Sequence, residues 1–252
     1  MARAAGVTER TRHGATVVIV SWNSQHFLRV ALDAVRAASP PETEIIVVDN
    51  HSTDGTRPFL ARRPDVKTIR SPVNLGHGTA LDLGFLLART EYVVALDVDA
   101  FPVSDDWLPQ LLGPLECGSG VSGAHVKGGF VHPCCLAMRS RDFAARRHTF
   151  VPRYGGRIAT SADDVDAPGW DVGWKISLRE SNRYLIERTS VRGPGDIGSV
   201  FGNIVYHNFY SVRFDHPKQQ VLSDDEIEFG VTSDAAREAW GEAVARFLPE
   251  VV

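Results

Sequence analysis

The sequence predicts an α/β fold: a mostly parallel central sheet with helices on both faces and a smaller, irregular second half. Three observations carry that expectation. Strand-like and helix-like segments alternate through the first hundred or so residues. The first apolar run, Ala15 to Ser21 (ATVVIVS), is continuous and β-branched, as in a strand buried on both faces. Polar and acidic side chains gather where successive apolar runs end, which in open α/β sheets is where ligands bind.

The elements follow in order. After the strand Ala15 to Ser21, Ser24 can cap a helix with Phe27, Leu28, Ala31, Leu32 and Val35 on one face, ending near Pro40-Pro41. Glu44 to Val48 (EIIVV) reads as the second strand, Asp54-Gly55 as a turn, and a short helix runs to about Ala61. Val66 to Arg70 is a third, shorter strand. A glycine-bearing loop, Asn74 to Gly78, opens a helix through Leu81, Phe85 and Leu86, and Tyr92 to Leu96 is the fourth strand. Strands and helices spaced in this way build a parallel sheet with helical layers.

The rhythm changes after Pro102. Trp107 to Leu112 reads as a short helix, and Gly118 to Gly129 as a loop in which Val121 to Val126 could hold a brief strand. Phe130 to Arg139 reads as a strand, Pro152 to Gly169 as a long surface loop, and Asp171 to Glu180 as a helix. Tyr184 to Glu187 and Asn203 to His207 are short strands, with a polar, irregular stretch from Phe209 to Asp225. The last helix, Asp234 to Leu248, places Ala236, Trp240, Val244 and Phe247 on one stripe. Neither a repeat nor a linker stands out, so residues 15–252 read as one domain behind a flexible N-terminal tail, residues 1–14.

The most informative segment is Tyr92 to Pro102 (YVVALDVDAFP). Side chains at i and i+2 of a strand share a face, so Asp97 and Asp99 can point together beyond the strand's carboxyl end. Two carboxylates there repel unless a cation, a proton or a donor lies between them. A divalent metal carrying a substrate diphosphate answers this, since Mg²⁺ usually takes one or two carboxylates plus phosphate oxygens. The plain alternative is a polar strand end in which each Asp caps a turn or the next helix.

Composition narrows the partners. A net charge of -4 over 252 residues argues against broad electrostatic binding of nucleic acid or anionic membrane. No stretch approaches the roughly 20 apolar residues that span a bilayer, and the polar start lacks the apolar core of a secretory signal. Cys117, Cys134 and Cys135 form no CxxC pair, and this odd count fits a reducing cytoplasm. A zinc site from Cys134, Cys135 and His132 lacks the second Cys/His pair that would complete it.

Four segments then stand at successive strand ends. Val17 to Asn23 (VVIVSWN) places Ser21, Trp22 and Asn23 at the end of the first, and Glu44 to Thr56 (EIIVVDNHSTDGT) places Asp49, Asn50 and Ser52 after the second. Asn74-Leu75-Gly76-His77-Gly78 follows the third, and Asp97-Val98-Asp99 the fourth. This array resembles the family 2 glycosyltransferases of the GT-A fold, closely over the first hundred residues and loosely beyond. The resemblance implies a nucleotide-sugar-binding half, residues 15–102, and an acceptor-binding half, residues 103–252. It implies an inverting, metal-dependent transfer of a sugar from a nucleotide-diphosphate donor, UDP- or dTDP-linked by family frequency, to a hydroxyl of a glycan precursor or small-molecule acceptor.

Residue roles follow from the resemblance. Asp49 is suited to accept from a ring N–H of uracil or guanine, and Asp49 and Ser52 also suit the tight turn that follows; both can hold at once. Ser21, Trp22, Asn23, Asn50, Asn74 and Val98 line the expected donor site. Gly76 allows close backbone approach, and His77 either lies against the nucleobase or ribose or is a solvated helix-start residue. Asp99 coordinates Mg²⁺ or Mn²⁺ directly, Asp97 meets the ribose or reaches the metal through water, and His207 joins from the second half. Arg213 and Lys218 could close over the diphosphate. The expected base is Asp171; Trp170 stands where the family usually has Glu, and Asp163, Asp164 and Asp166 are the fallback bases. Trp170 and Trp174 suit stacking on a sugar or a flat acceptor.

Other readings differ in their chemistry. A dinucleotide fingerprint built on Gly76 and Gly78 lacks its third glycine and follows the wrong strand. A sugar nucleotidylyltransferase would need a glycine-rich, basic loop near the first strand, where this chain has SWNSQH. A catalytically silent, sugar-nucleotide-binding relative is the main alternative, because Trp170 departs from the pattern beside the base. The length of the second half and the lack of a membrane-spanning run argue for a single-transfer cytoplasmic enzyme over a processive synthase. A homodimer is left open.

Overall fold

The computed structural model describes residues 12–126, 129–152, 172–191, 198–209 and 233–250. In chain order these form β1 (Arg12–Ser21), α1 (Gln25–Ala38), β2 (Glu44–Asp49), α2 (Thr56–Leu60), β3 (Lys67–Arg70) and α3 (His77–Leu87). β4 (Thr90–Leu96), β5 (Ala100–Pro102), α4 (Trp107–Glu116), β6 (Val121–His125), β7 (Val131–Arg139) and α5 (Ser140–Ala145) follow. The remainder comprises α6 (Trp174–Arg179), β8 (Arg183–Ile186), β9 (Arg188–Val191), β10 (Ser199–Phe201), β11 (Val205–His207) and α7 (Ser233–Phe247).

A seven-stranded sheet runs β3-β2-β1-β4-β7-β6-β8. Its first four strands are parallel, as the alternation predicts. The apolar run in β1 is buried from Ala15 to Val20, and its alternate residues feed two apolar layers. Val17 and Ile19 face the layer holding α1 and α4, whereas Val18 and Val20 face the layer holding α3 and α5. Helix α1 buries Phe27, Leu28, Ala31, Leu32, Ala34 and Val35, which contains the predicted stripe. Register pairs Ser21 with Asp49 and Asp49 with Arg70, so three strands end level.

Beyond β4 the sheet is mixed. Strand β7 pairs antiparallel with β4, from Tyr92↔Arg139 to Leu96↔Cys135, and β6 pairs antiparallel with β7. A second, antiparallel sheet of β5-β11-β10-β9 leans beside the end of β4. Strands β5, β9 and β10 have three or four residues each, too few to show a period of two, so the sequence reading missed them.

Other differences have local causes. Strand β1 begins at Arg12, whose N–H reaches Arg89 O at 2.8 Å, so the last residues of the expected tail belong to the sheet. Helix α3 begins at His77, not after Gly78. Helix α4 passes Pro114 and reaches Glu116 rather than stopping near Leu112. The preceding Gly113 has no Cβ to meet the proline ring, which removes the usual clash. The strand expected from Asn203 shortens to β11 because Asn203, at φ 57, turns the chain.

Helix α7 closes the molecule. Trp240 meets Phe27 of α1 edge-on at 4.9 Å and Phe101 of β5 at 5.2 Å, tying the C-terminal helix to both sheets. No helix among the described residues is long and apolar enough to cross a membrane.

Candidate active site

Strand β4 ends at Leu96, and the next three residues turn into β5, with Ala100 N–H donating to Asp97 O at 3.0 Å. Asp97 and Asp99 therefore converge through a turn, not through the pleat of a strand as the sequence reading assumed. The turn is anchored on β7, where Asp97 N–H donates to Cys134 O at 3.2 Å. Val98 is buried within it.

The antiparallel pairing of β5 with β11 supplies the third group. Register sets Pro102 against Val205, Phe101 against Tyr206 and Ala100 against His207. Asn208 N–H then donates to Asp99 O at 2.9 Å. His207 Nε2 lies 3.2 Å from Asp99 Oδ1 and 3.4 Å from Asp97 Oδ2. One ligand atom from each of the three residues lies within 4.8 Å of the others, and this is the cluster of such groups among the described residues. Two carboxylates and one imidazole are a donor set that suits a divalent cation, so these residues fit the metal expected of them.

The electrostatics are those of a tight anionic corner. Burial raises Asp97, but the close contact with His77 and the charges of His77, His207 and His132 outweigh it and hold the carboxyl well below the usual range. Burial lowers His207, yet Asp99 and Asp97 together raise it above an ordinary histidine. His207 Nδ1 is buried without a hydrogen bond among the described residues. The His132 ring stands 6.1 Å from that of His207.

His77 reaches the cluster from the other side. Its Nε2 lies 3.1 Å from Asp97 Oδ1, so its partner is a carboxylate of the DxD turn. Neither sequence-based role named this contact, and nothing in the local pattern signals it, because the two residues stand on different strand ends. The loop that delivers His77 is clamped. Asn50 Nδ2 donates to Asn74 Oδ1 at 3.0 Å, and that oxygen also accepts Gly76 N–H at 2.8 Å. Asn50 Oδ1 accepts Leu75 N–H at 2.8 Å. Gly76 takes φ 77, which favours glycine.

The remaining expected donor residues sit together at the ends of β1 and β2. Asp49 is fully buried: Oδ1 accepts Ser52 N–H at 2.9 Å, and Oδ2 lies 3.2 Å from Arg57 Nε. The carboxylate thus organises the turn, as one of its two sequence readings held. Ser52 Oγ accepts Asn23 N–H at 3.1 Å, while Asn23 Oδ1 accepts Thr53 N–H at 2.7 Å. Asn23 adopts φ 51, a conformation asparagine tolerates. Ser24 flanks α1 without capping it and donates instead to Trp22 O at 2.8 Å. Ser21 Oγ is buried with no hydrogen bond among the described residues.

On the acceptor side the predicted base Asp171, its neighbour Trp170 and the fallbacks Asp163, Asp164 and Asp166 lie outside the described residues, as do Arg213 and Lys218. The segment that follows them is described. Gly173 caps α6 at φ 83 and donates to Phe150 O at 3.1 Å. Phe150 N–H in turn donates to Asp82 Oδ1 of α3 at 2.7 Å, and Thr149 Oγ1 bonds the other oxygen. Trp174 meets Phe130 at 5.3 Å.

Cys134 and Cys135 are buried free thiols, and burial pushes Cys135 up to about 12. His132 Nδ1 accepts Cys134 N–H at 3.1 Å.

Comparison with known proteins agrees with this geometry. Residues 16–133 match the model of the family described as Glycosyl transferase family 2. A Mycobacterium tuberculosis protein described as an uncharacterized glycosyltransferase is 36% identical over 104 residues, 41% of this chain and 44% of that protein. The chain spans less than half the length of the first curated relatives it matches. Among solved structures, a mannosyltransferase from Pyrobaculum calidifontis in complex with GDP-Man and Mn²⁺ aligns with a TM-score of 0.55 at 17% identity, over 93% of this chain and 74% of that one. S. aureus TarS in complex with UDP-GlcNAc aligns with a TM-score of 0.52 at 15% identity, over 94% and 73%. At such identities the likeness speaks for the GT-A fold alone.

Proposed function

Because residues 16–133 match the model of glycosyl transferase family 2, we propose that this chain is an inverting, metal-dependent glycosyltransferase of that family. The donor is a nucleotide-diphosphate sugar, UDP- or dTDP-linked, and the acceptor is a hydroxyl of a glycan precursor or small metabolite. The observation that carries this reading is the convergence of Asp97, Asp99 and His207 beside the motif-bearing ends of β1, β2 and β3.

Asp99 and His207 would hold the cation directly, while Asp97 would serve the ribose or reach the cation through water. An imidazole among the donors favours Mn²⁺ over Mg²⁺, which prefers all-oxygen surroundings. When bound, the cation neutralises charge on the departing diphosphate. The clamped loops after β1, β2 and β3 shape the nucleotide site. Because Asp49 is capped by Arg57, the base edge is read by this pair: the carboxylate accepts a ring N–H and the guanidinium donates to a ring carbonyl.

Asp171 takes the proton of the acceptor hydroxyl. The hydroxyl oxygen bonds to the anomeric carbon as the bond from that carbon to the diphosphate oxygen breaks, so the configuration inverts. The hydrogen bond from Gly173 to Phe150 fixes the chain two residues after this base. The division into a donor half, residues 15–102, and an acceptor half, residues 103–252, is one of chemistry, since His207 crosses it. Three free thiols favour the reducing cytoplasm as the place of action.

The test is release of nucleoside diphosphate from a panel of UDP-, dTDP- and GDP-sugars, with Mn²⁺ or with EDTA. Metal-dependent release supports the transferase. Binding without release, whatever acceptor is offered, would instead support a silent sugar-nucleotide-binding relative, the reading that Trp170 favours. Cleavage that requires a triphosphate would point to a nucleotidylyltransferase.

A further inference from the structure

We propose that His77 is a positioning residue for Asp97, fixing one carboxylate oxygen so that the other faces His207 and the cation site. The proposal rests on reading Asp97, Asp99 and His207 as a metal site. It concerns a residue outside that cluster, on the first turn of α3.

The contacts divide the carboxylate between two imidazoles. Asp97 Oδ1 lies 3.1 Å from His77 Nε2, whereas Oδ2 lies 3.4 Å from His207 Nε2. A carboxylate with one oxygen in ionic contact at 3.1 Å loses freedom about its last torsion, which biases the direction of its second oxygen. Groups that orient a ligand in this way tune affinity without touching the metal.

The placement of His77 is itself fixed from two sides. On one side Asn50 and Asn74 clamp Leu75 and Gly76 at the end of β2. On the other, Gly78 lies so close to the 149–151 segment that a Cβ there would stand 2.7 Å from Phe150 O, and Asp82 bonds Thr149 and Phe150. The imidazole at the end of this brace is 37% exposed, so its contact with Asp97 is not a product of burial in the core. The brace therefore links the nucleotide side of the site to the carboxylate that would reach the cation through water. Asn50 acts on Asp97 through His77.

The test is Mn²⁺ binding by the full chain, followed by the free-ion EPR signal without nucleotide, in wild type, His77→Ala and His77→Gln. Glutamine can return a donor near the position of Nε2. His77→Ala should weaken Mn²⁺ binding by about 10–100-fold, the usual loss for an orienting partner. His77→Gln should recover most of it, and the melting temperature should match wild type in both. A melting temperature unchanged while Mn²⁺ affinity drops separates orientation from loss of fold. Native affinity in His77→Ala, or equal loss in both variants, would overturn the positioning role alone. Wild type that binds no Mn²⁺ would overturn the metal reading and this proposal together.

Discussion

His207 and Asp99 stand 3.2 Å apart, Nε2 to Oδ1, because His207 is the register partner of Ala100, the residue after Asp99. A three-residue ladder between β5 and β11 thus delivers a ligand from the second half of the chain to a turn at the end of the parallel sheet. The same ladder buries Phe101 and Tyr206 against Trp240, which gives the delivered imidazole a firm backing.

The first prediction concerns that turn. Asp99→Asn should lower Mn²⁺-dependent nucleotide affinity by more than about 100-fold, a loss of roughly 3 kcal/mol. The fold should survive, since removing one of two neighbouring carboxylates relieves repulsion in the metal-free protein. Calorimetric titration of UDP with and without Mn²⁺, beside a melting curve, checks both halves.

Asp171→Asn should leave donor binding intact and cut transfer by about 100–10,000-fold, the usual contribution of a positioned general base. Steady-state transfer and a nucleotide titration on the same preparation decide it. Transfer at the native rate would move the base to Asp163, Asp164 or Asp166.

Gly78→Ala places a Cβ 2.7 Å from Phe150 O, inside contact distance of a backbone atom that also accepts Gly173 N–H. Helix propensity favours alanine, yet the overpacking should dominate and destabilise by about 1–3 kcal/mol. Urea unfolding gives the sign; a gain in midpoint would show that the 149–151 segment moves aside at little cost.

Acid stability should carry a small signature of Asp65. The hydrogen bond and charge of Arg63 lower its carboxyl to about 2 from 3.8. A depressed acid stabilises above its unfolded value, so the contribution is complete above about pH 4 and is lost as pH falls toward 2. The side chain is 36% exposed, so screening limits the effect to a few tenths of a kcal/mol, as for other surface pairs. Asp65→Asn should flatten the drop in urea midpoint between pH 5 and pH 2.5; an unchanged slope would assign that drop to other carboxylates.

How much of this was legible in the sequence divides by the length of the signal. Three of the four parallel strands, β1, β2 and β4, announced themselves because runs such as Ala15 to Ser21 are buried on both faces and need unbroken apolar character. Asp97, Asp99 and the loops bearing Asp49 and Asn74 fell at strand ends for the same reason. Of the second sheet only β11 showed, because the three or four residues of β5, β9 and β10 have no period to read. Its consequence, His207 opposite Ala100, was reached only through resemblance. The His77–Asp97 contact was invisible in either way: it depends on how α3 meets the end of β4, which tertiary packing fixes and local pattern does not. The direction of β7 was hidden likewise, since an apolar run says that a strand is buried and not which way it runs.

The most direct measurement is the anomalous difference map of a crystal soaked with Mn²⁺ and UDP. The account predicts one strong peak within coordination distance of carboxylate oxygens of the Asp97–Asp99 turn and of His207 Nε2, with the diphosphate on its open side. An empty map at that turn, or nucleotide bound with no ion between it and the carboxylates, would contradict it.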